Sequence, residues 1–113
     1  MITGLATIFC WVSDMERSAA FYRDVLGFEC HGVWGDWASL SLGGAQLGLH
    51  RADSAQPTDG WVLGVHTDNL DALEAHLRAH GVDCDAERHE VPGGITLAFR
   101  DPDGNALQAY QPR

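Results

Sequence analysis

The chain has little of what several function classes require. Its three cysteines, Cys10, Cys30 and Cys84, are an odd number without close spacing, which argues against a disulfide framework and a Cys-x-x-Cys zinc knuckle. Positive charge is scarce: 7 Lys and Arg stand against 16 Asp and Glu, a net charge of −9. Polyanions need a basic face, so nucleic acid is not an expected partner, and an anionic membrane surface is disfavoured too. No apolar run is long enough to cross a bilayer. The N-terminus lacks the basic segment and long apolar run of a signal peptide, so the expectation is a cytoplasmic protein with reduced thiols. Gly43-Gly44 and Gly93-Gly94 are turn glycines without the following helix that a phosphate loop needs. No Ser/His/Asp set stands at recognisable spacing.

What is present is a duplication. At 113 residues the chain fits one domain with a modest core. Val12-Ser13-Asp14 matches His66-Thr67-Asp68 at a shift of 54, and Gly27, Phe28 and Cys30 fall on Gly81, Val82 and Cys84 at the same shift. Gly44-Ala45-Gln46-Leu47 then falls on Gly104-Asn105-Ala106-Leu107 at a shift of 60. The first half reads as a strand over 5–12, a helix opened by Asp14 and closed by Gly27, and strands near 28–34, 37–42 and 46–50. The second repeats this: a strand over 61–66, a helix over 69–80 ended by Gly81, and strands near 82–89, 95–100 and 106–111. Asp101-Pro102-Asp103-Gly104-Asn105 is a strong turn. The fold class is therefore α+β, with two βαβββ modules whose curled mixed sheets surround a cleft. We place module 1 at about 1–51, a linker at about 52–60 and module 2 at about 61–113 of a single domain spanning 1–113.

The run from Val12 through Phe28, including Phe21-Tyr22-Arg23-Asp24-Val25-Leu26-Gly27, and the turn Phe99-Arg100-Asp101-Pro102-Asp103-Gly104-Asn105 resemble hallmarks of the vicinal oxygen chelate superfamily. That group contains glyoxalase I, extradiol dioxygenases, fosfomycin-resistance enzymes and bleomycin-resistance proteins. The resemblance covers essentially the whole chain. It implies a glyoxalase-like fold and a homodimer, and says little of activity, because one scaffold hosts many chemistries.

Metal-dependent members hold a divalent ion with His and Glu on the first and last strand of each module. Carried onto this chain, those four positions are Thr7, Gly48, Val62 and Gln108. None supplies an imidazole or carboxylate, which points away from a metal and from any other cofactor. A displaced site built on His50, His66 and Gln108 is the alternative, though two imidazoles and an amide make a poor divalent site. His31, His76, His80 and His89 read as surface residues without a role.

If Thr7 and Gln108 face inward, strand alternation brings Phe9, Trp11 and Tyr110 to the same face, with Trp37 joining from a neighbouring strand and Trp34 a further candidate. Such a lining suits flat or cationic organic molecules through stacking and cation–π contact, and the acidic charge favours a cation. The same aromatics would also serve as core or interface. His50 is placed to donate a hydrogen bond or act as a general base, or simply to sit satisfied by backbone, and Cys10 belongs to the core. The expected function is a metal-free small-molecule binding protein of the bleomycin-resistance kind, sequestering a cationic or aromatic antibiotic or secondary metabolite. The alternatives are a metal-dependent lyase, isomerase or dioxygenase, and a metal-free enzyme using His50.

Overall fold

The structure is a computed structural model that describes residues 1, 8–53 and 62–113. The chain divides into two compact units, Met1–Gln56 and Pro57–Arg113, and each repeats one plan.

In the first unit, β1 (Phe9–Val12) leads into α1 (Met15–Ala20), followed by β2 (Glu29–Trp34), β3 (Trp37–Leu42) and β4 (Ala45–Arg51). The four strands form a sheet in the order β1-β4-β3-β2, with β1 parallel to β4 and the other pairs antiparallel. Tight turns set this register. Gly43 and Gly44 both have positive φ between Leu42 and Ala45, and Gly35 does so between Trp34 and Trp37. Those backbone signs match the two-residue hairpins whose twist fits the flanking strands. One face of the sheet is dry: Cys10, Val12, Ala38, Leu40, Leu47 and Leu49 are buried, on the side where α1 packs.

The helix begins as the sequence indicates, with the Asp14 side chain accepting from the Arg17 N–H at 3.1 Å. It does not continue as an α-helix to Leu26. Phe21–Val25 widens into a π-helical turn, and the Leu26 N–H reaches back to the Phe21 carbonyl. The wider turn breaks the stripe expected of an α-helix: Phe21 and Tyr22 are buried while Val25 and Leu26 are only half-buried. Tyr22 then packs edge-on to Phe28, with ring centroids 5.4 Å apart.

The second unit runs β5 (Leu63–His66), α2 (Leu70–Ala79), β6 (His89–Val91), β7 (Gly94–Arg100) and β8 (Ala106–Pro112), in the sheet order β5-β8-β7-β6. Its core is Leu70, Leu77, Leu97, Phe99, Leu107 and Ala109. The strand expected over 82–89 is displaced, and β6 begins only at the last residue of that range. Cys84 makes a single bridge to Phe99, and regular pairing starts only at His89. The intervening Asp85 and Glu87 are poor strand formers; the Asp85 N–H still donates to the Ala98 carbonyl at 2.8 Å, while its carboxylate holds Arg100 at 2.6 Å. The β7–β8 turn is closed by Asp101, whose buried carboxylate accepts from the backbone N–H groups of Asp103 and Asn105 and from the Asn105 side chain, all within 2.9 Å.

The internal repeat needs one correction. The residue capping α2 is Asn69, which accepts from the Ala72 N–H at 3.0 Å, so Asp14 corresponds to Asn69 and not to Asp68. Sheet pairing agrees. Phe9 and Trp11 sit opposite Gly48 and His50, while Gly64 and His66 sit opposite Gln108 and Tyr110. Matching Gly48 with Gln108 sets the offset of the first strands at 55. Val62, Gly64 and His66 still share a face, as alternation requires.

Candidate functional site

The open face of the first sheet carries an aromatic cluster. Phe9 and Trp11 alternate with the buried Cys10 and Val12 on β1, so both rings emerge on the side away from α1, each 41% exposed. Trp37 on β3 and His50 on β4 are directly paired in register and come up on the same side. The Phe9 ring meets Trp11 at 5.5 Å and Trp37 at 5.6 Å, both edge-on. His50 lies 4.7 Å from Trp11 and 6.1 Å from Trp37. Four of the residues singled out in the sequence are thus brought together on one sheet.

The cluster is seated on a glycine. A Cβ at Gly48 would run into Cη2 and Cζ2 of Trp37 and lie 3.0 Å from the Phe9 Cβ. The indole therefore occupies the space a side chain at 48 would need. Because Trp37 pairs with His50, Gly48 is its diagonal neighbour two residues back, a distance that large rings span in antiparallel sheets. Trp34, 61% exposed, lies in the same way against Gly32 on its own strand, 2.6 Å from where that Cβ would be.

His50 has a defined tautomer. Its Nδ1 is 3.0 Å from the Arg51 carbonyl oxygen, and a carbonyl only accepts, so Nδ1 carries the proton. In the neutral ring Nε2 is then an acceptor. The histidine is oriented by a backbone carbonyl. The arrangement offers an acceptor beside three aromatic rings.

The second unit has a different open face. Gln108 donates from Nε2 to Thr96 Oγ1 at 3.3 Å, and Thr96 in turn donates to the His89 carbonyl. The Tyr110 hydroxyl donates to the Gly93 carbonyl at 3.1 Å. Its ring covers Gly94, 2.5 Å from a Cβ position there, and meets the His66 ring edge-on at 5.6 Å. Gln108 and Tyr110 share this face, as alternation implies. Thr7 lies outside the described residues. Cys10 is buried, as a core residue should be.

The fit to a divalent ion can be judged position by position. Gly48 has no side chain and lies under an indole, Val62 is aliphatic, and Gln108 offers a neutral amide already engaged with Thr96. Those three residues do not suit the ion that metal-dependent relatives hold. Among the described residues no three His, Cys, Asp or Glu side chains converge as ligands, so His50 and His66 head no such cluster.

Comparison with known proteins places this geometry in a family. The Glyoxalase/Bleomycin resistance protein/Dioxygenase superfamily matches residues 4–109. The chain belongs to this superfamily. It is 30% identical to the uncharacterized protein YaeR of Escherichia coli (strain K12), over 88% of each chain. It is 28% identical to the metallothiol transferase FosB of Shouchella clausii (strain KSM-K16), covering 97% of this chain and 81% of FosB. Among solved structures, TnmS3, an antibiotic binding protein from Streptomyces sp. CB03234, superposes with a TM-score of 0.74 at 32% identity, covering 99% of this chain and 98% of TnmS3. The superfamily thus includes both transferases and antibiotic binders, and the aromatic-on-glycine seating, legible only as an isolated glycine inside a strand, was not anticipated from the sequence.

Proposed function

We propose that the chain is a binding protein for a planar aromatic small molecule carrying an N–H or O–H donor, with a cationic ligand preferred, and that it works without a metal. The observation that carries this reading is the half-exposed cluster of Phe9, Trp11, Trp37 and His50 around an acceptor nitrogen. A ligand ring stacked on the cluster would cover apolar surface of Trp11 and Phe9. A protonated amine or phenol on that ring would donate to His50 Nε2, and a cation would gain from the indole faces and the acidic charge. Thr7, Gln108 and Tyr110 belong to the proposed set on strand alternation alone. The likeness to an antibiotic binding protein is in keeping with a sequestering role. The alternatives are a metal-dependent enzyme, for which the residues at 48, 62 and 108 are unsuited, and a metal-free enzyme using His50. We also propose a homodimer, since the edge strand β2 leaves Val33 and Trp34 exposed; a monomer by light scattering at tens of micromolar would argue otherwise.

The test is a fluorescence titration with basic aromatic compounds and uncharged counterparts of the same ring systems, at low and high salt, with and without chelator. We expect the charged member of a pair to bind more tightly and to weaken with salt. Trp11→Ala should weaken binding by about 1–2 kcal/mol, roughly five- to thirtyfold, if the indole stacks, and chelator should change nothing. Binding indifferent to both salt and Trp11 would place the ligand elsewhere, and loss of binding on chelation would favour the metal-dependent alternative.

A further inference from the structure

The aromatic cluster occupies only one end of the open face of the first sheet. On β3, Ala38 and Leu40 are fully buried, so Trp37, Ser39 and Ser41 alternate onto the open side. Register carries this across the sheet: Ser39 stands between Gly48 and Gly32, and Ser41 between Gln46 and Glu29. The face is therefore banded. Trp11, His50 and Trp37 form an aromatic row, Gly48, Ser39 and Gly32 a low strip, and Gln46, Ser41 and Glu29 a polar row. The Trp37 ring leans over Gly48, and the polar row lies two residues beyond that glycine, about 7 Å along the strand.

A bulge adds a further group to the polar row. Pairing between β2 and β3 slips between Cys30 and Gly32, and His31, the extra residue, turns its ring to Ser41, with Nε2 2.7 Å from Oγ. Bulges are enriched beside functional sites, where they re-aim a side chain in this way. Whichever of the two groups donates, the Ser41 oxygen keeps a lone pair for another partner. Among the described residues the Ser39 hydroxyl and the Gln46 amide have no hydrogen-bond partner; Gln46 is exposed and both serines are half-buried. Hydroxyls and amides both donate and accept, which is what neighbouring alcohols on a ligand require. An acidic substituent would find no cation in this row, whose charged member is Glu29.

We infer that the ligand is an aryl glycoside, its flat ring stacked on the aromatic cluster and its sugar lying over Ser39 against Ser41 and Gln46. This rests on the binding role proposed above and adds the second part of the molecule. The low strip leaves the sugar room beside the indole, and Glu29 at the far side suits an amino sugar.

Untagged full-length protein would be titrated calorimetrically with two matched pairs: esculetin and its glucoside esculin, and daunomycinone and its amino-sugar conjugate daunorubicin. In each pair the glycoside should bind at least about tenfold more tightly than the aglycone, the worth of two or three hydrogen bonds. Ser41→Ala and Gln46→Ala should each cut that ratio about threefold, and the double variant should bring the pair close to equal. Trp11→Ala should weaken both members and leave the ratio standing, with far-UV circular dichroism verifying that all variants are folded. Aglycones that bind through Trp11 while their glycosides gain nothing would overturn the sugar subsite and leave the aromatic reading intact. A gain that survives the double variant would overturn it too, by placing the sugar elsewhere. If no member of either pair binds up to its limit of solubility, the aromatic reading falls and the sugar subsite with it.

Discussion

Gly48→Ala is the smallest change that tests how the aromatic face is built. Position 48 has no positive φ, so the backbone accepts alanine, and in isolation the added methyl would stabilise a strand by about 0.5–1 kcal/mol. Opposing this, the new Cβ runs into the Trp37 ring and crowds the Phe9 Cβ at 3.0 Å. Overpacking of this kind typically costs about 1–3 kcal/mol. The two effects leave a net loss of about 0.5–2 kcal/mol. The sign of that sum depends on Trp37. Once Trp37→Ala has removed the ring, the same methyl at 48 sets its strand preference against the Phe9 Cβ contact alone. The two substitutions should therefore be non-additive by about 1–3 kcal/mol. Urea denaturation followed by far-UV circular dichroism measures this without relying on the tryptophan signal. With a slope of about 1–3 kcal/mol per molar urea, the midpoint of Gly48→Ala should fall by several tenths molar or more. A Gly48→Ala variant as stable as wild type, and additive with Trp37→Ala, would refute the seating of the indole on the glycine.

Three further outcomes follow from the surrounding structure. Gly27 and Gly81 have φ of 81° and 72° just past their helices, so alanine at either should lower stability by about 1 kcal/mol in the same denaturation assay. Asp101→Ala should cost about 2–3 kcal/mol, because it strands three donors inside a buried turn; a midpoint equal to wild type would show that the turn closes without the carboxylate. Hydrogen bonds from Arg78 and then Arg88 hold the Glu74 carboxyl below its ordinary value of 4.5. The stability it contributes is full above that pH and is lost as the pH falls through the lowered value, so Glu74→Gln should flatten the acid limb of a stability–pH curve.

Much of the fold was legible because local chemistry and burial agree. Asp14, Gly27 and Gly81 mark helix boundaries by capping and left-handed backbone, and Phe9, Trp11 and His50 reach one face by simple alternation. The misses have physical causes. Asp68 and Asn69 are both good caps, and only the hydrogen bond to Ala72 tells them apart. The π-helical turn at Phe21 has no signature in an apolar stripe that an α-helix would share. The strand over 82–89 is reduced to a single bridge at Cys84 because Asp85 and Glu87 disfavour extended pairing, and the ladder resumes only at His89. At Gly48 the sequence registers a missing ligand, whereas the fold reveals an occupied space. That difference depends on a diagonal contact between strands and cannot be seen along one of them.

The packing of Trp37 on Gly48 also bears on the order in which such a chain can change. An imidazole or carboxylate introduced at 48 would meet the indole before it met any ion. Gaining a ligand there would have to begin with loss of the tryptophan, a step that weakens the aromatic face and brings no compensating donor. The first module thus carries a ratchet, which lets its chemistry move away from that of the second while both keep the same chain path.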